Sequence, residues 1–176
     1  MIGDSTMANK DISGGKMERG WGMMLKNFFT EDVIVDNHAL NGRSSKSFIS
    51  EGHWQKVVEK IKPGDYVFIQ FGHNDEKDDP KRHTDPGTTF DENLRKFVKE
   101  TRMRGGIPVL FNSVVRRIFT NSTTAVADDD TRSNSSADLV EGDTLVDTHG
   151  DYLLSPRNVA RELDVPFVDA NKITHD

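Results

Sequence analysis

The feature that most constrains this chain is an alternation of short apolar runs with amphipathic stretches, repeated along most of its length. Residues 17–29 (MERGWGMMLKNFF) set Trp21, Met24, Leu25 and Phe28 at the i, i+3, i+4, i+7 spacing of a core-facing helical stripe. Val33–Leu40 (VIVDNHAL) begins β-branched and ends polar, as a buried strand does where its carboxyl end opens into a loop. Residues 51–62 place Trp54, Val57, Val58 and Ile61 on one helical face, and Pro63-Gly64 stops them. A strand at Tyr66–Phe71 (YVFIQF) runs straight into Gly72-His73-Asn74-Asp75. The pattern then predicts a helix over Thr89–Arg104, a strand at Ile107–Val115, a helix over 153–164 and a final strand at Val165–Asp169, after which the chain stops. Parallel neighbours need crossovers and helices of this length supply them, so the expected class is α/β, a parallel sheet covered on both faces.

Length and composition narrow the function. The 176 residues predict a single domain, 1–176. A net charge of −6 argues against nucleic acid and against an anionic membrane surface, whose binding rests on clustered basic charge. No run approaches a membrane span, and the first residues carry neither a basic nor an apolar leader region. The absence of Cys excludes disulfides, thiol nucleophiles and thiolate metal sites in these residues. Between Thr120 and Asp138, 14 of 19 residues are Ser, Thr, Asn or Asp, which predicts an exposed polar loop; its two glycosylation-type triplets, at Asn121 and Asn134, are expected by chance in such a composition.

In parallel sheets, ligands bind beyond the carboxyl ends of the strands. That rule selects Gly3-Asp4-Ser5, Asn41-Gly42-Arg43-Ser44 and Gly72-His73-Asn74-Asp75. A serine in a tight turn entering a helix presents its hydroxyl where backbone N–H groups favour developing negative charge. Gly42 lets its N–H approach a ligand closely, and the Asn74 amide is a further donor, so the three segments together suit an oxyanion hole for acyl transfer. Each alone is most often turn chemistry, and only their joint occurrence beyond successive strands points to a site. Asp75, Glu76, Asp78 and Asp79 lack the oxygen spacing and glycine of a calcium loop and predict no metal site. Arg43, Lys46, Arg116 and Arg117 fall at or near predicted strand ends, where they either favour a polyuronate substrate or pair with nearby acids.

These residues resemble blocks I, II and III of the SGNH (GDSL-type) hydrolases. The likeness is closest to the rhamnogalacturonan acetylesterase branch, through Gly20-Trp21-Gly22, Asn41-Gly42-Arg43-Ser44-Ser45, Lys62-Pro63-Gly64-Asp65-Tyr66, Phe71-Gly72-His73-Asn74-Asp75, Arg116-Arg117 and Val146-Asp147-Thr148-His149-Gly150-Asp151-Tyr152. The resemblance implies a three-layer α/β/α flavodoxin-like fold and hydrolysis of O-acetyl esters on pectic polysaccharide, with no cofactor or metal. It assigns Ser5 as nucleophile and the Ser5 N–H, the Gly42 N–H and the Asn74 side chain to the oxyanion. Arg43 and His73, in the second and third segments, are expected on the substrate side. It also implies an exported parent protein, periplasmic or extracellular, with any signal upstream of Met1.

Two departures shape the remaining expectations. The family's Asp-x-x-His, which supplies the general base, has no match: no Asp is followed three positions later by His. His38, His53, His83, His149 and His175 are each expected to be structural or solvated, and His73, beside Asn74, is the nearest substitute although its family counterpart is not the base. Only Met1 and Ile2 precede the Gly-Asp-Ser turn, where a central strand is expected. The expectation is a chain truncated at both ends and by itself nearly inactive. Two alternatives remain: a carbohydrate-binding pseudoenzyme, and a lipase or thioesterase on the same fold, the latter disfavoured by the few large apolar residues in the site segments.

Overall fold

The computed structural model describes residues 1–116, 119–120, 144–145 and 148–175. Its centre is a four-stranded parallel sheet in the order β1-β2-β3-β6, formed by β1 (Ile2–Gly3), β2 (Tyr66–Gln70), β3 (Ile107–Phe111) and β6 (Phe167–Val168). β2 and β3 pair along their whole lengths, from Tyr66 opposite Ile107 to Gln70 opposite Phe111. The helices are α1 (Trp21–Leu25), α2 (Ser45–Ser50), α3 (His53–Val58), α4 (Thr89–Met103), α5 (Leu154–Glu162) and α6 (Ala170–His175). Two further short strands, β4 (Phe119–Thr120) and β5 (Thr144–Leu145), pair antiparallel. Apart from Thr120, the polar loop expected over 120–138 lies outside the described residues, as do Arg117 and both glycosylation-type triplets.

Side chains alternate across each strand, and this splits the core in two. Val67, Ile69 and Leu110 meet Phe48, Trp54, Val57, Phe90, Leu94, Phe97, Val98 and Val159 from α2, α3, α4 and α5 in one large cluster. Phe97 is fully buried, edge-on to Trp54 with ring centroids 4.9 Å apart and stacked on Phe71 at 5.4 Å. On the opposite face Phe68, Val109 and Phe111 meet Trp21 of α1 and Ala170 of α6. Helices therefore cover both faces, as the alternation of elements predicts, but the second layer is thinner.

The differences from expectation have local causes. Val33–Leu40 is not a strand. It runs beside β1, where Met1 N donates to Asp36 O (2.8 Å), His38 N to Met1 O (2.9 Å) and Leu40 N to Gly3 O (3.0 Å), but a two-residue β1 offers no longer edge to pair with; Ile34 is 90% exposed. The helix predicted over 17–29 is reduced to α1 and one tight turn at Lys26–Phe28. Its stripe is not core throughout: Met24 and Phe28 are exposed, and the buried contact is made by Gly22, where a Cβ would lie 2.6 Å from Met7 O. The stretch 51–62 is helical only over α3, yet Trp54, Val57 and Ile61 are buried as the spacing requires. The strand predicted through Val115 ends at Phe111, leaving 112–116 as a loop, and a helix, α6, follows the last strand. α2 was not legible from apolar spacing. Its signal is a capping box, in which Ser44 accepts from Ser47 N at 3.1 Å while Ser47 Oγ accepts from Ser44 N at 2.9 Å.

Candidate active site

The three segments selected from the sequence meet at the carboxyl edge of the sheet. Ser5 follows β1 in a turn whose backbone is pinned from several sides. Asp4 O accepts from Met7 N (3.2 Å) and Ala8 N (3.0 Å), and Asp4 Oδ1 accepts from Thr6 N (2.9 Å) and Thr6 Oγ1 (2.8 Å). Trp21 N donates to Thr6 O at 2.9 Å, and Gln70, at the end of β2, accepts from Trp21 Nε1 at 2.7 Å and from Thr6 Oγ1 at 3.2 Å. Gln70 is fully buried and also donates to Asn112 O at 3.2 Å, so one amide ties the ends of β2 and β3 to the serine turn. Ser5 itself is partly exposed and lines a cavity of about 530 Å³ with Thr6, Glu18, Arg19, Trp21 and Met24, among others.

The second and third segments are bonded to each other. Gly42 has φ 71°, in the left-handed region, and open space where a Cβ would be, so backbone conformation rather than crowding calls for glycine there. Asn74 Nδ2 donates to Arg43 O at 3.1 Å and its Oδ1 accepts from Arg82 Nη1 at 3.4 Å. One bond fixes the amide plane and leaves the second N–H of Asn74 for another acceptor. Gly72, at φ 145°, lets the chain pass Ser113, whose Oγ would lie 2.3 Å from a Cβ.

Behind these turns lies a buried polar network that the sequence did not announce. His73 is buried, with Nδ1 3.4 Å from Asp4 Oδ2, an ion-pair separation joining the first segment to the third. Its ring stands edge-on to His149 with centroids 4.4 Å apart. His149 Nδ1 lies 2.9 Å from Glu76 Oε2 and its Nε2 3.1 Å from Val114 O, while Arg116 pairs with Glu76 and donates to His73 O at 3.0 Å. Burial raises the Asp4 carboxyl, but the His73 imidazole and the Thr6 donors outweigh it and hold the group below the ordinary range. Glu76 is lowered in the same way, burial being outweighed by His149 and Arg116. Asp75 goes the other way. Burial is its largest influence, the donors Ser45 and Thr84 are neutral, Asp4 adds like charge, and its pKa is pushed up to about 7.

Each cation expected near the site has a partner where it is described. Arg43 Nε is 2.9 Å from Glu51 Oε2, Lys46 Nζ donates to Pro80 O at 2.7 Å, and Arg116 is paired with Glu76. His73 stands between Asp4 and His149 with 6% of its surface exposed. Sequence reasoning missed Gln70, gave Asp75 no role of its own although it lay in a selected segment, and considered Glu76 only as part of a metal loop that it rejected. Gln70 was the detectable one, a lone amide closing an otherwise apolar strand.

Comparison with known proteins agrees with this edge. The GDSL-like Lipase/Acylhydrolase family matches residues 1–176. The chain is 37% identical over 169 residues to the rhamnogalacturonan acetylesterase RhgT of Bacillus subtilis, covering 96% of this chain and 62% of that protein. It is 38% identical over 122 residues to the probable rhamnogalacturonan acetylesterase YesY of the same organism, covering 69% and 55%. It thus spans less than two thirds of the length of these relatives. Among solved structures, B. subtilis YxiM superposes with a TM-score of 0.72 at 25% identity, covering 98% of this chain and 43% of that one. A catalytic mutant of Axe2, an acetylxylan esterase from Geobacillus stearothermophilus, superposes with a TM-score of 0.58 at 16% identity, covering 97% and 74%. With a family match that runs the length of the chain and a parallel sheet whose edge gathers Ser5, Gly42 and Asn74, this protein belongs to the GDSL-like lipase/acylhydrolase family.

Proposed function

We propose that the protein is a serine esterase that removes O-acetyl groups from pectic polysaccharide, with Ser5 as nucleophile and the Ser5 N–H, the Gly42 N–H and the Asn74 side chain as oxyanion donors. The observation that carries the proposal is the convergence of the three turns: Leu40 N donates to Gly3 O at 3.0 Å, Asn74 Nδ2 donates to Arg43 O at 3.1 Å, and His73 Nδ1 lies 3.4 Å from Asp4 Oδ2, beside a cavity that opens at Ser5. A partly exposed serine on a turn pinned from both sides, at the sheet edge where Asn74 is bonded to the Gly42 turn, suits the preorganised donors that acyl transfer needs. The rhamnogalacturonan acetylesterase names of RhgT and YesY support the pectic substrate.

In this reading Ser5 Oγ attacks the acetyl carbonyl, the oxyanion settles on the three donors, and the sugar hydroxyl leaves with the proton that Oγ gave up. Water then releases acetate from the acyl-serine. The proton carrier in the family pattern is a histidine. His73 and His149 are packed into the Asp4 and Glu76 network, and no Asp-x-x-His occurs in residues 1–176. In this reading the Oγ proton therefore passes to a histidine of a block outside these residues and from it to the sugar oxygen, and residues 1–176 alone are nearly inactive. An exported location follows from a polymeric plant substrate and belongs to the same proposal.

The test is acetate release from acetylated rhamnogalacturonan by the intact protein, against acetylxylan and long-chain acyl esters. Preference for the pectic acetyl ester supports the reading. Faster hydrolysis of long acyl chains would move the protein to the lipase side of the family, and binding of acetylated oligosaccharide without acetate release would make it a carbohydrate-binding protein.

A further inference from the structure

Gly42 and Asn74 come from different parts of the chain, and they address one oxyanion only if their two segments are held in register. The Asn74 to Arg43 bond is one neutral contact. The stronger tie lies one residue further on each side. Asp75 is fully buried, and its carboxylate accepts from Ser45 N at 3.1 Å (Oδ1) and 3.0 Å (Oδ2), from Ser45 Oγ, and from Thr84 Oγ1 at 2.8 Å. Asn93 of α4 donates to Ser45 Oγ at 3.0 Å, and Tyr152 OH donates to Asp75 O at 3.2 Å and to Thr84 O.

This tie is more than a helix cap. α2 already has its own cap in the Ser44–Ser47 box, so the bond from Asp75 to the first helical amide is additional and spans 30 residues. Burying a carboxylate among neutral donors is expensive, and an apolar residue would suit a purely structural position better. What the carboxylate supplies is a fixed distance between Asn74, its covalent neighbour, and the turn that carries Gly42.

We propose that Asp75 is a positioning residue for ester hydrolysis: its grip on the Ser45 N–H and hydroxyl sets the Gly42 N–H and the Asn74 amide on a single oxyanion. The inference rests on the esterase reading of the same site. The groups facing Asp75 are Ser45 from α2, Thr84 from the loop before α4, Tyr152 from the turn before α5, and the charge of Asp4 from the β1 turn, with Asn93 behind Ser45. The carboxyl titrates near 7 because burial opposes its ionisation, so the register can be followed by pH.

The experiment uses Asp75→Asn and Ser45→Ala in the intact protein, with urea denaturation to establish that each variant is folded. Three readouts are compared with the unsubstituted protein: NMR signals of the Gly42 and Ser45 amides and the Asn74 side chain across pH 5 to 9, kcat, and KM for acetylated rhamnogalacturonan. The expected result is that Gly42 and Ser45 signals titrate together near pH 7 and stop doing so in Asp75→Asn. In both variants kcat falls by about tenfold to a hundredfold while KM changes little. A folded Asp75→Asn with unchanged kcat, or with Gly42 and Asn74 signals unmoved, overturns the positioning role. If the unsubstituted protein releases no acetate while the two signals still titrate together, the esterase reading fails and the Asp75–Ser45 register stands.

Discussion

Two fully buried aspartates stand behind the same sheet edge, and their carboxyls are driven in opposite directions. Asp4 supports the nucleophile turn and is held ionised, because the imidazole of His73 lies 3.4 Å away and Thr6 donates twice. Asp75 supports the oxyanion side with more donors, yet all are neutral, and burial prevails. At Asp75 the hydrogen bonds do not offset burial, whereas at Asp4 they act together with a facing imidazole and do. The nucleophile half of the site is thus built on a carboxylate that faces an imidazole, and the oxyanion half on a carboxyl whose pKa burial pushes up to about 7.

The sharpest way to separate the two halves is to remove their reacting groups. Ser5→Ala is expected to abolish acetate release, a loss of at least about 10³-fold, with the circular dichroism spectrum unchanged because the side chain is only partly buried. Retained turnover would remove the nucleophile half from the comparison altogether. Asn74→Ala is expected to lower kcat by roughly 10² to 10³; a loss under tenfold would take the amide out of the oxyanion hole.

Stability separates the supporting carboxylates. Asp4→Ala removes the carboxylate that faces His73 and accepts from Thr6 N and Oγ1, and is expected to lower unfolding free energy by about 3 kcal/mol in urea denaturation. The two aspartates then respond to pH in separate windows. Asp75 has a folded pKa of about 7 against an ordinary aspartate value of 3.8, so between about pH 4 and pH 7 the unfolded chain releases a proton that the folded chain keeps. Its contribution to stability therefore falls as pH rises through that window, at most about 1.4 kcal/mol per pH unit, and levels off above it. Asp4, whose folded pKa is depressed, contributes fully above its ordinary range and loses that contribution only as pH falls below it. Urea titrations of Asp75→Asn against the unsubstituted protein from pH 4 to 9 should show the gap changing up to about 7 and constant beyond. A constant gap throughout would erase the contrast. The smallest effect is expected at Gly42→Ala, where a left-handed backbone costs about 1 to 2 kcal/mol and no atom is struck.

The candidate site was more legible than its supports. Ser5, Gly42 and Asn74 could be selected because each sits beyond a strand or strand-like run, and a parallel sheet brings such ends to one edge. The run before Gly42 proved irregular, yet it still follows β1 closely enough for Leu40 N to reach Gly3 O, so the placement survived the loss of the strand. The network of Asp4, His73, His149, Glu76 and Arg116 was not legible, since its members are scattered from the first turn to the residues before α5 and look like ordinary turn and loop chemistry. Arg43 and Arg116 illustrate the limit: the sequence places a cation near the edge, but only the fold shows Glu51 beside one and Glu76 beside the other.

By itself, the sequence determined the class of fold, the order of its long elements and the edge at which chemistry gathers, because strand and helix periodicity and turn residues are local properties. Phe97, Trp54 and Leu94 were bound for the interior by spacing alone. The tertiary structure decided how far each element runs and what charge each buried group bears. β1 limits the strand beside it by its own length, and Met7 and Ala8 press so closely on Gly20 and Gly22 that α1 carries its contact through glycine. Asp4 and Asp75 are the same residue with the same burial; only the partner that the fold sets against each one, an imidazole or a serine, makes them differ.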